Sequence, residues 1–252
     1  TRRLPISKNH WSTIFGLDIS RPIGLGLSYT SAIKDSIDVV FQGRKIRIEQ
    51  REKEGEISGV VWDAGVAMLD TLPKFSILSK TNLRILELGS GTGVVGIAAK
   101  RFAKDSEVVL SDLESNLDLI RSNVRSNLLA GDHVSVVSIP WGCEDTARKY
   151  GIFDVVLCSD TIYETEALPL FLKTLLWMTR EGSQVYIAYR RRVDEREIPF
   201  FKKLENDFEI SVLDPPSSSP EEEKKSSTTG RRNHWHNVYI LECQRRRRRK
   251  KA

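Results

Sequence analysis

Short apolar runs alternate along this chain with longer segments of mixed apolar and polar residues. A short apolar run bounded by Gly, Pro or Asp is typical of a buried strand, and a longer amphipathic segment is typical of a helix. Strands are predicted at residues 37–41, 45–48, 85–88, 107–111, 134–138, 153–158, 184–189, 208–213 and 237–242. Helices are predicted at residues 64–72, 94–103, 115–129, 166–178 and 195–207.

The alternation of strands and helices predicts an α/β fold with a parallel sheet. The first two strands are expected to form a hairpin that turns at residues 42–43, and the last two are expected to form an antiparallel closing pair. The segment 215–232 between those last two strands is rich in Pro, Ser, Glu and Lys. It is therefore predicted to be a flexible loop inside one domain.

Length and composition indicate one globular α/β domain, since 40% of the 252 residues are hydrophobic and 29% are charged. We expect an N-terminal arm at residues 1–36, the domain at residues 37–244 and a basic tail at residues 245–252. No apolar run approaches the ~20 residues needed to cross a bilayer, so no membrane association is expected. The first residues also lack the apolar core of a signal peptide.

The cysteines and the charges refine this picture. Three cysteines, at positions 143, 158 and 243, lack metal-ligand spacing, so we expect reduced thiols, an intracellular protein and no metal site. The formal net charge is +5, but residues 245–251 carry seven positive charges and leave −2 for the rest. The tail is either a solvated segment without a selective partner or a contact for nucleic acid or acidic protein. The expected location is the cytoplasm, or the nucleus if the tail acts as a localisation signal.

A glycine-rich turn lies between the third predicted strand and the helix that follows it. Gly89, Ser90, Gly91 and Gly93 occupy this turn, and Gly96 lies in the first turn of the helix. A strand, a glycine turn and a helix N-terminus together let the backbone approach a nucleotide-like cofactor closely. The last three glycines also fit the dinucleotide fingerprint G-x-G-x-x-G, which on its own is a weak signal.

Two acidic residues bear on the choice of cofactor. Glu87 lies two residues before the first glycine, where a carboxylate suits the sulfonium and ammonium of S-adenosylmethionine and would repel a pyrophosphate. Asp112 ends the next strand, where an acid can bind ribose hydroxyls in either cofactor family. The carboxylate at position 87 therefore favours S-adenosylmethionine.

Further candidates lie at the expected carboxyl edge of the sheet or just before a helix. Trp62 precedes a helix and either covers the cofactor or fills the core. Trp141 follows the third parallel strand, where its indole can flank an adenine. Ser159 and Asp160 end the fourth parallel strand. The carboxylate at position 160 either accepts the ammonium of an incoming amine or caps a helix. Tyr163 can form the wall of the amine channel, since its ring favours a cation over its face.

These residues belong to a set of motifs that resembles the seven-strand protein-lysine methyltransferases of the methyltransferase-like group, over roughly residues 37–243. The motifs are Gly59-Val-Val-Trp62, Glu87-Leu-Gly-Ser-Gly-Thr-Gly93, Ser111-Asp-Leu-Glu114, Pro140-Trp-Gly142 and Ser159-Asp-Thr-Ile-Tyr163. Arg190-Arg-Arg192, with Phe200-Phe-Lys-Lys203 and Phe208, is also similar to the fungal branch that modifies translation elongation factor 1A.

The resemblance implies a Rossmann-like seven-stranded sheet of order 3-2-1-4-5-7-6, flanked by helices, with an N-terminal β-hairpin. It implies S-adenosyl-L-methionine as the methyl donor and a lysine side chain of a protein, of elongation factor, chaperone or ATPase type, as the acceptor. The positions that match the family's cofactor contacts are Trp62, Gly89, Ser90, Gly91, Asp112, Trp141 and Ser159. Asp160 and Tyr163 match its acceptor-site motif.

Three other functions stay open at this point: an RNA methyltransferase that uses the basic tail, a small-molecule methyltransferase and a non-catalytic cofactor-binding module. Enzymes that methylate nucleobase amines usually carry an Asn/Asp-Pro-Pro-aromatic motif after the fourth strand. This chain has Ser159-Asp-Thr-Ile162 there, and its Asp214-Pro-Pro216 follows the sixth strand instead. The resemblance makes a protein-lysine methyltransferase, expected to be a monomer, the favoured interpretation.

Overall fold

The computed structural model describes residues 3–5, 35–51, 58–192, 194–213 and 238–247. Its strands are β1 (Arg3–Pro5), β2 (Ser36–Phe41), β3 (Arg44–Glu49), β4 (Arg84–Leu88), β5 (Glu107–Asp112), β6 (Val134–Ser138), β7 (Val155–Ser159), β8 (Gln184–Arg190), β9 (Phe208–Leu213) and β10 (Val238–Arg245). Its α-helices are α1 (Asp63–Thr71), α2 (Val94–Phe102), α3 (Leu117–Asn127), α4 (Glu144–Tyr150), α5 (Leu168–Met178) and α6 (Asp194–Leu204). Short 3-10 segments at Leu72–Lys74, Ser76–Ser79 and Glu114–Asn116 complete the set.

The central sheet has the order β1-β9-β10-β8-β7-β4-β5-β6, and β2 and β3 form a separate hairpin. Strands β6, β5, β4, β7 and β8 run parallel, and β10 runs antiparallel to both β8 and β9. Numbered along the chain from β4 to β10, seven of these strands have the predicted order 3-2-1-4-5-7-6. The α/β class, the seven-strand order and the hairpin are therefore confirmed.

The eighth strand is a difference from the prediction, which placed its residues in an N-terminal arm. Arg3–Pro5 pairs antiparallel with the edge strand β9. An edge strand offers unpaired backbone groups that a short extended segment can satisfy. Three residues are too few to give a periodic hydrophobic signal, so the sequence pattern could not predict this pairing.

Alternate residues of the central strands enter two apolar layers, one on each face of the sheet. Ile85 and Val155 belong to the layer under α1 and α2. Leu86 and Val156 belong to the layer on the other face, together with Phe171 of α5. Because both faces are covered, these strands are almost continuously apolar.

The β2–β3 hairpin is bound to α3 through two asparagine side chains one helical turn apart. The N–H of Glu49 donates to Oδ1 of Asn123 at 2.7 Å, and Nδ2 of Asn123 donates back to the Glu49 carbonyl at 3.0 Å. Asn127 makes the same pair of bonds with the backbone of Arg47, at 3.0 and 2.7 Å. The two side-chain amides thus bond the backbone N–H and C=O groups of β3 that a neighbouring strand would otherwise bond. They fix the hairpin beside the central sheet.

Other predicted elements lie within a few residues of the observed ones, but α4 was not predicted. Six of its seven residues are polar or charged or aromatic, and only Ala147 is buried, so its sequence has no apolar periodicity. The predicted flexible loop at 215–232 lies outside the described residues. Among the described residues no helix is long and apolar enough to span a bilayer, and no acidic, His or Cys cluster has the geometry to hold a metal ion.

The boundary of the basic tail differs from the prediction at one residue. Arg245 was assigned to the solvated tail, but it is the last residue of β10 and its side chain is 5% exposed. Its Nη1 lies 2.8 Å from Oδ1 of Asp207, and its guanidinium lies 5.1 Å from the ring centroid of Phe208. The apolar stem and the paired charge explain why an arginine from a polybasic run is buried here.

Arg245→Ala should lower the free energy of unfolding by about 2 kcal/mol, because it leaves Asp207 without its partner and removes the cation–π contact. Arg247→Ala is the matched control, since the Arg247 side chain is 85% exposed. Urea unfolding of both variants measures the difference. Equal midpoints for the two variants would show that Arg245 belongs to the solvated tail after all.

Candidate active site

A cavity of about 300 Å³ lies at the carboxyl ends of β4, β5 and β7. This is the point where the strand order reverses, with β5 on one side of β4 and β7 on the other, and ligands of open α/β sheets bind there. Nine of the eleven predicted site residues line it: Trp62, Gly89, Ser90, Gly91, Asp112, Trp141, Ser159, Asp160 and Tyr163. Glu87 and Gly93 do not line it.

The glycine turn requires residues without a Cβ where it meets the cavity. Gly89 and Gly91 have φ angles of 75° and 56°, in the left-handed region that favours glycine. A Cβ at Gly91 would lie 2.9 Å from the carbonyl oxygen of Ser58, and one at Gly89 would lie 3.2 Å from the Trp141 ring. Larger residues would therefore both strain the backbone and push the cavity walls apart.

The N–H groups of the turn are bonded to the end of β5. Gly89 and Ser90 donate to the Ser111 carbonyl at 2.9 and 2.8 Å. Gly91 donates to Oδ2 of Asp112 at 2.7 Å, and the Leu113 N–H donates to the other carboxylate oxygen at 2.8 Å. Burial raises the pKa of Asp112, and these two N–H groups oppose the rise. The Asn116 side chain is a third donor to this carboxylate, which still leaves an acceptor site for a hydroxyl group in the cavity.

Two asparagines that the sequence analysis missed satisfy the carbonyls of the turn. Nδ2 of Asn116 donates to the Gly91 carbonyl at 2.9 Å, and Nδ2 of Asn123 donates to the Thr92 carbonyl at 3.0 Å. Asn123 is also one of the two asparagines that bind the hairpin, so it joins the hairpin to the turn. Both side chains are buried. A polar residue on the apolar face of a predicted helix was the signal that could have identified Asn123.

Glu87 does not act as the sequence argument supposed. Its side chain is 1% exposed and lies behind the turn, where Oε2 accepts the N–H of Gly96 at 2.9 Å. No described residue donates to Oε1. Burial raises the pKa of Glu87 to about 8, so the group is mostly protonated at neutral pH. A neutral carboxyl outside the cavity cannot select a cationic cofactor by charge.

Gly93 does not line the cavity, and its surroundings show a packing role. Its φ angle is 79°, and a Cβ there would lie 2.9 Å from Leu110 and 3.2 Å from Ile120. The first residue of α2 follows it directly. Gly93 therefore lets the start of α2 lie close to β5 and α3.

The two tryptophans that line the cavity lie on different segments of the chain, Trp62 just before α1 and Trp141 after β6. Trp141 packs on Phe171 with ring centroids 4.8 Å apart and faces Gly89. Trp62 immediately precedes α1 and is partly exposed to the cavity. Its position is set by the end of the hairpin, because the buried Gln50 side chain accepts the Val61 N–H at 2.8 Å. The sequence offered no sign of this contact, which joins residues 11 positions apart.

The two residues predicted for the acceptor site, Asp160 and Tyr163, line the cavity after the end of β7. Asp160 has a φ angle of 54°, and its N–H donates to the Ala188 carbonyl at 2.9 Å. It does not cap a helix, since α5 begins eight residues later, at Leu168. Its side chain is 7% exposed, and Oδ1 accepts Nη2 of Arg192 at 2.7 Å. Tyr163 lies at the cavity mouth and is 44% exposed.

Comparison with known proteins identifies the family. Residues 40–207 match the family model described as lysine methyltransferase. EEF1A lysine methyltransferase 3 from Mus musculus is 30% identical over 179 residues, which cover 70% of this chain and 75% of that protein. Protein N-lysine methyltransferase METTL21A from Danio rerio is 30% identical over 182 residues, with 70% and 80% covered.

Two solved structures share the fold at low identity. The 16S rRNA N2 G1207 methyltransferase RsmC of T. thermophilus, in complex with AdoMet and guanosine, has a TM-score of 0.58 at 15% identity and covers 84% of this chain and 50% of that one. Magnesium protoporphyrin IX methyltransferase from Synechocystis PCC 6803, with bound SAM, has a TM-score of 0.53 at 17% identity, with 73% and 80% covered.

This chain belongs to the lysine methyltransferase family. It is an enzyme that uses S-adenosylmethionine to methylate lysine in proteins. The cofactor predicted from the sequence is confirmed, although the charge of Glu87, on which that argument depended, is not the physical reason for it.

Glu87→Gln should flatten the dependence of stability on pH. The folded protein keeps on Glu87 a proton that the unfolded chain loses near pH 4.5, so wild-type stability should fall as pH rises from about 4.5 to about 8. Glutamine cannot titrate, and its amide oxygen still accepts the Gly96 N–H. Melting temperatures measured between about pH 5 and about pH 9 test this, and parallel curves for the two proteins would refute it.

Proposed function

We propose that the cavity holds S-adenosylmethionine between the glycine turn, Asp112 and Trp141, and that Asp160 and Tyr163 receive the lysine amine of the substrate protein. The observation that carries this proposal is that both groups of residues line one cavity. The cofactor-binding turn and the acceptor carboxylate come from adjacent parallel strands, β4 and β7, so their separation is fixed by the sheet.

The residues of the cavity suit the chemical groups of this cofactor. The buried carboxylate of Asp112 is an acceptor for ribose hydroxyls, and the face of Trp141 is a surface for adenine. The N-terminus of α2 carries a partial positive charge that favours the carboxylate of the methionine end. When bound, the cofactor supplies a methyl group on a positively charged sulfonium.

The lysine amine has to be neutral when it reaches the methyl group of the cofactor. Lysine has a reference pKa near 10.4, so most of it is protonated at neutral pH and a proton must leave before attack. Asp160 orients the amine while it is charged, and the exposed Tyr163 ring lines the passage that connects it to solvent. The neutral amine then attacks the methyl carbon of the sulfonium directly. Proximity and orientation therefore supply most of the rate acceleration.

The mouth of the cavity supports a protein as substrate. Of the five large hydrophobic side chains that are exposed among the described residues, three line this cavity: Leu113, Tyr163 and Leu170. Glu164 lies with them and is exposed. An apolar rim with a negative charge fits a lysine presented on a protein surface better than a small polar metabolite.

We propose elongation factor 1A as that substrate, since a curated relative is named for its activity on EEF1A. RNA methylation has no comparable support, because the similarity to the ribosomal RNA enzyme is one of fold at 15% identity. The monomeric state, the cytoplasmic location and nucleic-acid contact by the basic tail stay predictions.

Asp160→Asn should reduce methyl transfer to purified elongation factor 1A by roughly 100-fold or more, because the neutral amide no longer holds the charged amine. Cofactor affinity should change little, since the substitution preserves the shape of the side chain. The matched control is Asp118→Asn on α3, whose side chain is 83% exposed.

The assay follows transfer of labelled methyl from S-adenosylmethionine, with calorimetry for cofactor binding. A wild-type rate for Asp160→Asn at saturating cofactor would show that Asp160 has no role in the acceptor site. Label that enters added RNA while elongation factor 1A stays unlabelled would contradict the proposed substrate.

A further inference from the structure

One oxygen of the carboxylate assigned to the acceptor site, that of Asp160, is already hydrogen-bonded within the protein. Oδ1 of Asp160 accepts Nη2 of Arg192 at 2.7 Å, and the two residues are 32 positions apart in the chain. No described residue donates to Oδ2. Asp160 also lines the cavity, so the carboxylate has one oxygen bound to the protein and one left for a ligand.

Arg192 is itself held in place from several sides. Its Nη1 donates to the carbonyls of Ile162 and Arg190, at 3.2 and 3.3 Å. Its backbone N–H lies 3.2 Å from both carboxylate oxygens of Glu197 on α6. Glu197 in turn accepts the hydroxyl of Tyr189. A guanidinium anchored in this way can fix the direction of the carboxylate it binds.

We propose that Arg192 is a positioning residue that holds one oxygen of Asp160 and thereby aims the other at the ε-amine of the incoming lysine. This inference rests on the proposed function, since it assigns a partner to the proposed acceptor carboxylate. Arg192 does not line the cavity, so it acts through Asp160 and not on the cofactor.

The positive charge of Arg192 supports the same role as its position. Burial raises the pKa of Asp160, and the nearby Arg192 guanidinium opposes that rise and keeps the carboxyl closer to its ionised form. The same positive charge disfavours a proton on a lysine amine bound beside it. Removing the guanidinium should therefore raise the pKa of both groups and move the acid limb of the activity profile to higher pH.

Other charged groups around this site have separate partners or lie further out. Arg190 pairs with Asp63, and Glu197 binds the backbone of Arg192. The pKa of Tyr163 is raised chiefly by burial and then by the negative charges of Glu164, Asp112 and Asp160. Arg192 is therefore the charged group that acts on the ionisation of Asp160, and it acts against the larger effect of burial.

The test compares Arg192→Gln with Arg192→Lys on elongation factor 1A across a range of pH. Arg192→Gln should lower kcat/KM by roughly 100-fold near neutral pH and recover part of it as pH rises, with cofactor affinity unchanged. Arg192→Lys keeps the charge but loses the planar fork, so it should lose less activity and keep the wild-type acid limb.

The matched control is Arg180→Gln, which breaks an Asp–Arg pair of similar type: Arg180 lies 3.3 Å from Asp154, and its side chain is 68% exposed. It should retain wild-type activity.

A wild-type pH profile and rate in Arg192→Gln would overturn the inference. So would a joint loss of cofactor affinity and melting temperature in both Arg192 variants, because that would indicate a structural role. If wild-type protein methylates no lysine substrate at any pH, the proposed function fails first and this role fails with it, whereas an active wild type with an unaffected Arg192→Gln contradicts this role alone.

Discussion

The candidate active site depends on a glycine turn whose backbone is bonded to protein on one side and lines the cavity on the other. Asp112 contributes to both sides, because one carboxylate accepts the Gly91 N–H and also lines the cavity. Asn116 and Asn123 satisfy the adjacent carbonyls. A buried polar backbone without these partners would cost about 1–3 kcal/mol for each group left unbonded. The left-handed turn, which its glycines adopt without steric strain, therefore persists because these side chains satisfy its buried backbone groups.

The remaining architecture follows from that constraint. The parallel strands place the turn after β4 and the proposed acceptor carboxylate after β7 at the same edge of the sheet. The hairpin, which lies outside the sheet, is fixed to α3 by Asn123 and Asn127 and through Gln50 holds the segment that carries Trp62. The proposed cofactor and acceptor positions are thus set by elements far apart in sequence, which the central sheet brings to one edge.

Hydrophobic periodicity and motif spacing were enough to predict the fold class and the cavity edge, because each depends on local pattern, whereas the strand order was predicted from the family resemblance. The sequence could not predict contacts that depend on tertiary approach, such as the pairing of Arg192 with Asp160 or the burial of Arg245 beside Asp207. The error over Glu87 has the same origin. A carboxylate two residues before a glycine turn suggests a contact with a ligand. The direction in which the Glu87 side chain points depends, however, on how α2 packs on β4.

The most direct test of this account is a calorimetric titration of S-adenosylmethionine into wild type and Asp112→Ala. The account predicts that the variant loses about 1.5–3 kcal/mol of binding free energy, because it removes both the support of the turn and an acceptor in the cavity. Wild type should bind S-adenosylmethionine more tightly than NAD. Equal affinity of the variant and wild type for S-adenosylmethionine would contradict the account, since the turn and its ligand would then not depend on Asp112.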